Sequence, residues 1–331
     1  MTKSPLRPGK LPAALLRSLL EAAVGTDADV LLPPAVGEDA CVIRVAGGAL
    51  VAATDPITLT GEGVGAHAVV INANDVAVMG ARPRWFLAVV LLPPGSNEAL
   101  VRDLFRSMRK ALDRVGATLV GGHSEVTPAV SQPVVVGQML GLREDGQFVA
   151  TGSMRVGDSI VQVGRAPVEG AAVVATEIAE ALTALPNDVI EAARRALDEP
   201  GISVVEPALL CAELGATALH DPTEGGLSAG LHELAEASGL RIAGLREDTV
   251  LWFEPGRAIC ECIGADPWGM LASGALLAAF PSDRAEMAIR ALRQAGNPAQ
   301  VIARAESGKG VWLANGEALV RYDRDELSRI L

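Results

Sequence analysis

The sequence predicts an α/β protein (α+β in its second half) with two domains. Its 331 residues exceed the length that a single hydrophobic core usually serves. Half of the residues are apolar and 21% are charged, a composition typical of folded globular chains. Short apolar runs that predict strands alternate with segments in which apolar residues recur at helical spacing. We therefore expect one α/β domain over residues 1–150 and a second over residues 151–331.

The first half alternates helices and strands in the predicted order. Helices are predicted over residues 11–24, 65–79 and 99–115. Strands are predicted over residues 41–45, 49–53, 85–92, 118–120 and 133–142. Gly47-Gly48 predicts the turn of a hairpin, and Asp55 then falls just beyond the second strand of that hairpin. Gly121-Gly122 predicts a turn at the end of a short strand.

The second half is predicted to be richer in helix. Its helices are expected over residues 171–185, 188–197, 206–214, 227–237 and 284–295. Its strands are expected over residues 159–163, 218–221, 274–280, 300–305 and 310–313. The absence of repeats at solenoid periods argues against a repeat architecture.

Composition excludes several classes of protein. The net charge of −12 and the sequence pI of about 4.9 argue against a nucleic-acid partner, which needs a basic surface. No stretch reaches about 18 uninterrupted apolar residues, so no membrane span is expected. Residues 1–10 lack the apolar core of a secretory signal, so we expect a cytoplasmic protein. The four cysteines form no CxxC pair and are expected to be reduced.

Five short acidic segments beside glycine or other small residues carry the functional prediction. They are Gly37-Glu38-Asp39-Ala40, Thr54-Asp55-Pro56, Asn74-Asp75-Val76, Gly121-Gly122-His123-Ser124-Glu125 and Asp221-Pro222-Thr223-Glu224-Gly225-Gly226. Ionised carboxylates next to apolar strands and helices are costly unless a positive group pairs with them. The chain has no run of Lys or Arg near these segments. Mg²⁺ held against a nucleotide polyphosphate would account for the whole set, because it takes hard oxygen ligands.

Asn74-Asp75 is the most informative of these segments. It lies inside a predicted helix of small apolar residues, whose other polar residues are His67 and Asn72. Asn and Asp are poor residues for the middle of a helix. A metal or phosphate site explains them, and an internal hydrogen-bond network is the alternative.

The other segments are weaker when each is considered alone. Glu38-Asp39 after a glycine is ordinary turn chemistry. His123 is more often structural than functional, although the N–H groups of the glycines before it could face an anion. Thr223 or Glu224 could simply cap the helix that follows, while Gly225 and Gly226 would let a phosphate approach the start of that helix. The sequence contains neither a P-loop nor a dinucleotide-binding glycine motif.

In this order, the five segments resemble those of the superfamily that contains aminoimidazole ribonucleotide (AIR) synthase (PurM), selenophosphate synthetase, thiamine-monophosphate kinase and the hydrogenase-maturation protein HypE. Residues 74–83 and 221–227 look most like HypE, whereas residues 121–124 look more like selenophosphate synthetase. The resemblance covers nearly the whole chain and is closest to HypE-like AIR synthase-related proteins.

The resemblance implies a PurM-like fold and an ATP- and Mg²⁺-dependent homodimer. The N-terminal domain would bind ATP and pair strands across the dimer, and the C-terminal domain would be an α/β sandwich. The magnesium carboxylates would be Asp39, Asp55, Asp75, Glu125 and Asp221. The catalytic residues would be Asp75 and Asp221. The nucleotide would contact Lys10, Asn74, Gly121, Gly122, His123, Thr223, Gly225 and Gly226.

Two departures from the family pattern bear on the function. The HypE branch carries its substrate on a C-terminal cysteine, whereas this sequence ends Leu327-Ser328-Arg329-Ile330-Leu331. The selenophosphate branch uses an N-terminal cysteine or selenocysteine, and here no cysteine precedes Cys41. We therefore expect an enzyme that phosphorylates an amide-type or other oxygen of a small molecule.

Two alternatives to this enzyme stay open. One is a non-catalytic, nucleotide-binding dimeric maturation protein that docks on a protein partner. The other is a thiamine-monophosphate-type kinase, although the Gly-His-Ser at residues 122–124 departs from the Gly-Asp-Thr of that branch.

Overall fold

The computed structural model describes residues 11–58, 63–322 and 324–330. These residues form two six-stranded β-sheets and ten α-helices, so the predicted α/β fold class is confirmed. Lys10, which was predicted to contact phosphate, lies outside the described residues.

The first sheet is mixed. Its strands are β1 (Val30–Leu32), β2 (Cys41–Val45), β3 (Gly48–Ile57), β4 (Arg82–Leu92), β5 (Thr118–Val126) and β6 (Val134–Arg143). They lie side by side in the order β1-β2-β3-β6-β4-β5. The predicted hairpin is confirmed, with Val45 of β2 opposite Gly48 of β3. Only β4 and β5 run parallel in this part of the structure.

Helices α1 (Ala13–Ala23), α2 (Val64–Val78) and α3 (Glu98–Val115) belong to the same half. Helix α3 begins where the side chain of Asn97 accepts a hydrogen bond from the N–H of Leu100, which satisfies one of the free donors of the first turn. It ends at Gly116 in the left-handed conformation. Helix α2 is buried almost throughout because it packs on α3 and on the strands β3 and β6.

Two predictions in this half were wrong in position. Strand β3 continues to Ile57, so Asp55 lies inside the strand and pairs with Gly137 of β6. Gly121 and Gly122 lie inside β5 and form no turn. Strand β5 shifts register against β4 at Val120, and Gly122 follows with a φ of 146°.

Close strand pairing explains the glycine at position 122. A Cβ atom there would lie 2.0 Å from the main-chain oxygen of Ala88 in β4. Gly122 therefore serves the register shift between two parallel strands.

The second sheet has the order β12-β9-β11-β7-β10-β8. Its strands are β7 (Ser159–Val163), β8 (Ala218–His220), β9 (Arg241–Leu245), β10 (Leu276–Phe280), β11 (Ala299–Glu306) and β12 (Gly310–Leu313). The helices of this half are α4 (Glu169–Glu177), α5 (Asn187–Arg194), α6 (Val205–Glu213), α7 (Gly226–Ser238), α8 (Glu254–Ile263), α9 (Ser282–Gln294) and α10 (Leu327–Ile330). The sequence did not predict β1, β9, α8 or α10, and the helix expected over residues 171–185 ends at Glu177.

A continuous apolar core joins the two halves. The largest buried cluster includes Phe86 and Met139 of the first sheet together with Leu219 and Phe280 of the second. Helix α2 packs against β8 within this cluster, which brings the polar residues of α2 toward the segment that follows β8. None of the helices among the described residues combines the length and the apolar character that a bilayer crossing requires.

Candidate functional site

The centre of the candidate site is a buried histidine between two carboxylates. Nδ1 of His220 lies 2.9 Å from Oδ2 of Asp39, and Nε2 lies 3.0 Å from Oε2 of Glu233. A carboxylate oxygen can only accept from a ring N–H, so both ring nitrogens must carry a hydrogen. Burial alone would lower the pKa of His220, but Asp39 and Glu233 raise it well above the ordinary value.

Asp39 reaches this histidine because its loop is fixed to the second half of the chain. The carboxylate of Glu38 accepts hydrogen bonds from the N–H groups of Thr151 (3.1 Å) and Gly152 (2.9 Å). Oγ1 of Thr151 lies 3.2 Å from Oδ2 of Asp39. Glu38 thus has a structural role, as its ordinary turn context suggested, whereas Asp39 faces His220.

Asp221 lies directly after His220 and is almost completely buried, at 3% exposure. Its Oδ2 atom has no hydrogen-bond partner among the described residues. Burial raises the pKa of Asp221 well above the usual range, Asp39 and Asp55 raise it further, and His220 lowers it. The three aspartates therefore share one electrostatic environment. A buried carboxylate oxygen without a partner calls for an explanation, and a cation at this point would provide one.

Asp55 is held in place by a residue of α2. The Asn72 side chain accepts from the N–H of Asp55 at 2.8 Å and donates to the oxygen of the same residue at 3.2 Å. Asp55 as a whole is an exposed residue of β3. Gly137 allows this contact, since a Cβ atom there would lie 2.4 Å from Nδ2 of Asn72.

Asp75 is buried on α2, at 6% exposure. It follows Asn72 by three residues and therefore lies on the same side of the helix, which is the side that contacts Asp55. Its metal-binding role stays a prediction.

Asn74 is fully buried and points elsewhere. It donates to the oxygen of Ile202 and accepts from the N–H of Val204, both at 2.9 Å. Asn74 thus fits the internal hydrogen-bond network that was the alternative to cofactor binding.

The glycines at the start of α7 contact other parts of the chain. The N–H of Gly225 donates to Oδ2 of Asp325 at 2.7 Å. A Cβ atom on Gly226 would lie 2.4 Å from the main-chain oxygen of Trp268. The main-chain oxygen of Thr223 accepts from the N–H groups of Gly226 and Ala272. The close approach predicted for a phosphate at Gly225 and Gly226 is made here by the protein itself.

Gly121, Gly122, His123 and Glu125 lie on the exposed edge strand β5. Nε2 of His123 lies 3.5 Å from Oε2 of Glu125, with both side chains about half exposed or more. Three strand spacings separate β5 from β3, or about 14 Å. These residues are therefore not brought together with Asp55 in the described chain.

No three His, Cys, Asp or Glu side chains in residues 11–58, 63–322 and 324–330 are grouped tightly enough to hold a metal ion alone. Mg²⁺ does not require such a cage, because it is commonly held by one or two carboxylates with phosphate oxygens and water. A groove of about 480 Å³ lined by Trp268, Tyr322 and their neighbours contains none of the five acidic segments.

Several residues of the site were not predicted from the sequence. His220 stands next to an identified aspartate, but Glu233 lies on a helix whose spacing marks it only as a polar position. Asp325 is 100 residues from its partner Gly225. Glu169, at the start of α4, is also buried, and burial, together with nearby Asp325 and Glu224, raises its pKa to about 7. These residues meet only through the tertiary fold.

Two family models match the chain. AIR synthase related protein, N-terminal domain, matches residues 37–143. AIR synthase related protein, C-terminal domain, matches residues 155–313. Together they cover well over half of the sequence.

Among curated proteins, the chain is 30% identical over 276 residues to carbamoyl dehydratase HypE of Rhodobacter capsulatus, covering 80% of this chain and 78% of that protein. It is also 30% identical over 253 residues to carbamoyl dehydratase HypE of Azotobacter vinelandii, with 74% and 71% covered.

Solved structures with a similar fold include HypE proteins and a kinase. A HypE–HypF complex matches with a TM-score of 0.73 at 21% identity, covering 95% of this chain and 100% of that one. HypE in complex with ATP matches with a TM-score of 0.69 at 24% identity, covering 86% and 89%. Thiamine monophosphate kinase from Aquifex aeolicus matches with a TM-score of 0.69 at 21% identity, covering 92% and 96%.

Proposed function

The chain belongs to the AIR synthase related protein family, and from this premise we propose that it is an ATP- and Mg²⁺-dependent enzyme. Its substrate would be a small molecule with an amide-type or other oxygen that accepts the γ-phosphoryl group. The observation that carries the proposal is the buried Oδ2 of Asp221, which lacks a hydrogen-bond partner in the described part of the chain and lies in the field of Asp39 and Asp55.

The carboxylates fit a divalent cation that is shared with a polyphosphate. Asp39, Asp55, Asp75 and Asp221 would share the cations of the nucleotide, with one or two carboxylates to each ion and phosphate oxygens and water completing its ligands. A bound Mg²⁺ would supply charge neutralisation of the phosphates during transfer. The residues of the chain would position the γ-phosphate against the substrate oxygen.

The reaction needs little covalent chemistry from the protein. The substrate oxygen attacks the γ-phosphorus, the bond to the β-phosphate oxygen breaks, and ADP leaves. Phosphorylation turns an amide oxygen into a good leaving group, so a later loss of phosphate could drive dehydration or ring closure. Asp75 and Asp221 stay in the proposed catalytic set because both residues are buried.

Two of the four cysteines are unsuited to carry a substrate covalently. All four thiols are free. Burial raises the pKa of Cys211 and of Cys260 to about 12, so both stay protonated at neutral pH. Sγ of Cys41 lies 3.4 Å from the oxygen of Ala52 in the β2–β3 hairpin. Cys262 makes a similar contact at 3.7 Å with Ala181.

A homodimer is part of the proposal. Strand β5 is exposed along its whole length at the edge of the first sheet, with Leu119, Val120 and Val126 among the exposed large apolar residues. An open edge with apolar side chains is unfavourable in water unless another strand or surface covers it. A second copy of the chain would cover it.

A non-catalytic nucleotide-binding partner protein is the second candidate. The HypE–HypF complex, a solved structure of similar fold, provides a precedent for docking on another protein. A thiamine-monophosphate-type kinase is supported by fold alone, and phosphoryl transfer from ATP to thiamine monophosphate would identify it.

Asp221→Asn tests the proposal, with Asp103→Asn on the exposed face of α3 as the matched control. We expect Asp221→Asn to lower the rate of phosphate release from ATP by about 10²–10³-fold, and Asp103→Asn to leave it unchanged. In titrations followed by calorimetry, Asp221→Asn should also lose the Mg²⁺ dependence of ATP binding. Binding without turnover in the wild type, over a panel of small amides, would support the non-catalytic candidate. ATP binding that is independent of Mg²⁺ in the wild type would contradict the carboxylate site.

A further inference from the structure

Three side chains from distant parts of the sequence form a linear series across the two halves. Glu233 lies on α7, His220 at the end of β8 and Asp39 in the loop before β2. The two hydrogen bonds that join them are 3.0 and 2.9 Å long. The side chains of Glu233, His220 and Asp39 are 20%, 4% and 12% exposed. Because both ring nitrogens are engaged, the ring of His220 has one fixed orientation.

This orientation of the ring fixes one carboxylate oxygen of Asp39 and leaves the other carboxylate oxygen available to a ligand. Oδ2 receives the hydrogen bond from His220 and lies near Oγ1 of Thr151. Within the described residues, Oδ1 makes no hydrogen bond. The carboxylate can therefore present Oδ1 to a ligand without losing the contact to the histidine.

The main chain supports the same arrangement. Gly37, two residues before Asp39, has a φ of 90°. A Cβ atom at this glycine would lie 3.2 Å from the main-chain oxygen of Glu233. The loop that carries Asp39 thus rests on α7 at the residue whose side chain holds His220.

We infer that Glu233 is a positioning residue for the Mg²⁺–nucleotide site, and that it acts on Asp39 through the ring of His220. The inference rests on the proposed function, since it assigns a purpose to the orientation of Asp39. Glu233 itself would touch neither the nucleotide nor the metal ion.

Two substitutions of His220 separate its two contacts. The side-chain nitrogen of Asn occupies nearly the position of Nδ1 of histidine, and that of Gln occupies nearly the position of Nε2. His220→Asn therefore keeps a donor toward Asp39, whereas His220→Gln keeps a donor only toward Glu233. We expect His220→Gln to weaken Mg²⁺-dependent ATP binding on the order of ten-fold relative to wild type, and His220→Asn to restore much of that affinity. A purely structural role would not favour the Asn variant in ligand affinity.

Glu233→Gln tests the role of Glu233, the residue of the series that lies farthest from Asp39. Glu236→Gln, one turn further along α7 on its solvent side, is the control. Glu236 pairs with Arg321, outside the proposed site. Glu233→Gln should weaken Mg²⁺-dependent ATP binding several-fold in the wild-type background and have no further effect in His220→Asn. Glu236→Gln should bind ATP as the wild type does. Calorimetric titrations of ATP at fixed Mg²⁺, with thermal unfolding of each variant, provide the readouts.

The results separate the inference from the function. If the wild type binds Mg²⁺–ATP and Glu233→Gln binds as tightly as Glu236→Gln, the positioning role is wrong while the function stands. Equal affinity in His220→Asn and His220→Gln leads to the same conclusion. If the wild type binds no ATP at any Mg²⁺ concentration, the proposed function itself fails.

Discussion

The buried carboxylate of Asp325 accepts a hydrogen bond from the main-chain N–H of Gly225 at 2.7 Å. Gly225 precedes the first turn of α7, where the free N–H groups of a helix favour an anion. The same carboxylate accepts from the N–H of Leu327 at 2.8 Å. An anion supplied by the chain thus occupies the position at which the sequence predicted a phosphate.

Removal of this carboxylate should therefore destabilise the second half of the protein. Asp325→Ala leaves the buried N–H groups of Gly225 and Leu327, among others, without this partner, which costs about 2–4 kcal/mol. Asp325→Asn keeps an acceptor oxygen and should lose less. Urea unfolding followed by circular dichroism measures the difference. Equal stability of Asp325→Ala and the wild type would show that this contact does not hold the C-terminal segment.

Glu169 should make the stability of the protein dependent on pH. Burial, with smaller contributions from Asp325 and Glu224, raises its pKa from 4.5 to about 7. Between these two values the folded protein holds a proton that the unfolded chain releases. The stabilising contribution is therefore fully present below about pH 4.5 and is lost as the pH rises through 7.

Glu169→Gln removes this titration. The variant should be more stable than the wild type at pH 8, by up to about 3 kcal/mol, and the difference should shrink at pH 5. Glu177→Gln, at the exposed end of the same helix α4, is the control and should follow the wild type at both pH values. Urea midpoints at pH 5 and pH 8 measure the effect. A Glu169→Gln variant with an unchanged pH profile would contradict the raised pKa.

Asn74 and Asp75 offer a test in which neighbouring residues have opposite roles. Asn74→Ala leaves the oxygen of Ile202 and the N–H of Val204 without their partner and should cost about 2–4 kcal/mol of stability. Mg²⁺-dependent ATP binding per folded molecule should change little. Asp75→Asn should leave the fold intact and reduce ATP turnover by about 10²-fold or more. Unchanged turnover in Asp75→Asn would end its assignment to the site.

The contrast between Asn74 and Asp75 shows how much of the structure could be predicted from the sequence alone. The amphipathic helix α3 and the β2–β3 hairpin were predicted because their patterns are local: helical spacing in one, and a double-glycine turn in the other. The polar pair within α2 indicated a special environment, but not that Asn74 is held by the main chain of Ile202 and Val204. These partners lie about 130 residues away in sequence, so only the tertiary packing identifies them.

Tertiary contacts also explain why the predictions for Gly121-Gly122 and for Gly225 were wrong. Gly121-Gly122 has the local chemistry of a turn, yet pairing with β4 draws it into an extended strand, and Gly122 is required by the close approach to Ala88. Gly225 has the local chemistry of a phosphate loop, yet Asp325 reaches it from 100 residues away. Tertiary contacts override local preference where strands pair or distant segments meet.

The exposed strand β5 gives the final prediction, which concerns assembly. Val120 lies at the register shift of β5 and is 53% exposed. If a second copy covers this edge, Val120→Lys places a charge in an apolar contact, which is costly without a partner for the charge. The variant should shift from dimer to monomer at micromolar concentration in size-exclusion chromatography with light scattering. Met287→Lys on α9 is the matched control, because Met287 is another exposed apolar residue, at 43% exposure. This variant should remain dimeric.

A wild type that is monomeric at all concentrations would rule out the homodimer. A dimer that survives Val120→Lys would place the interface on a different surface, because an unpaired lysine at the centre of a strand-to-strand contact opposes association.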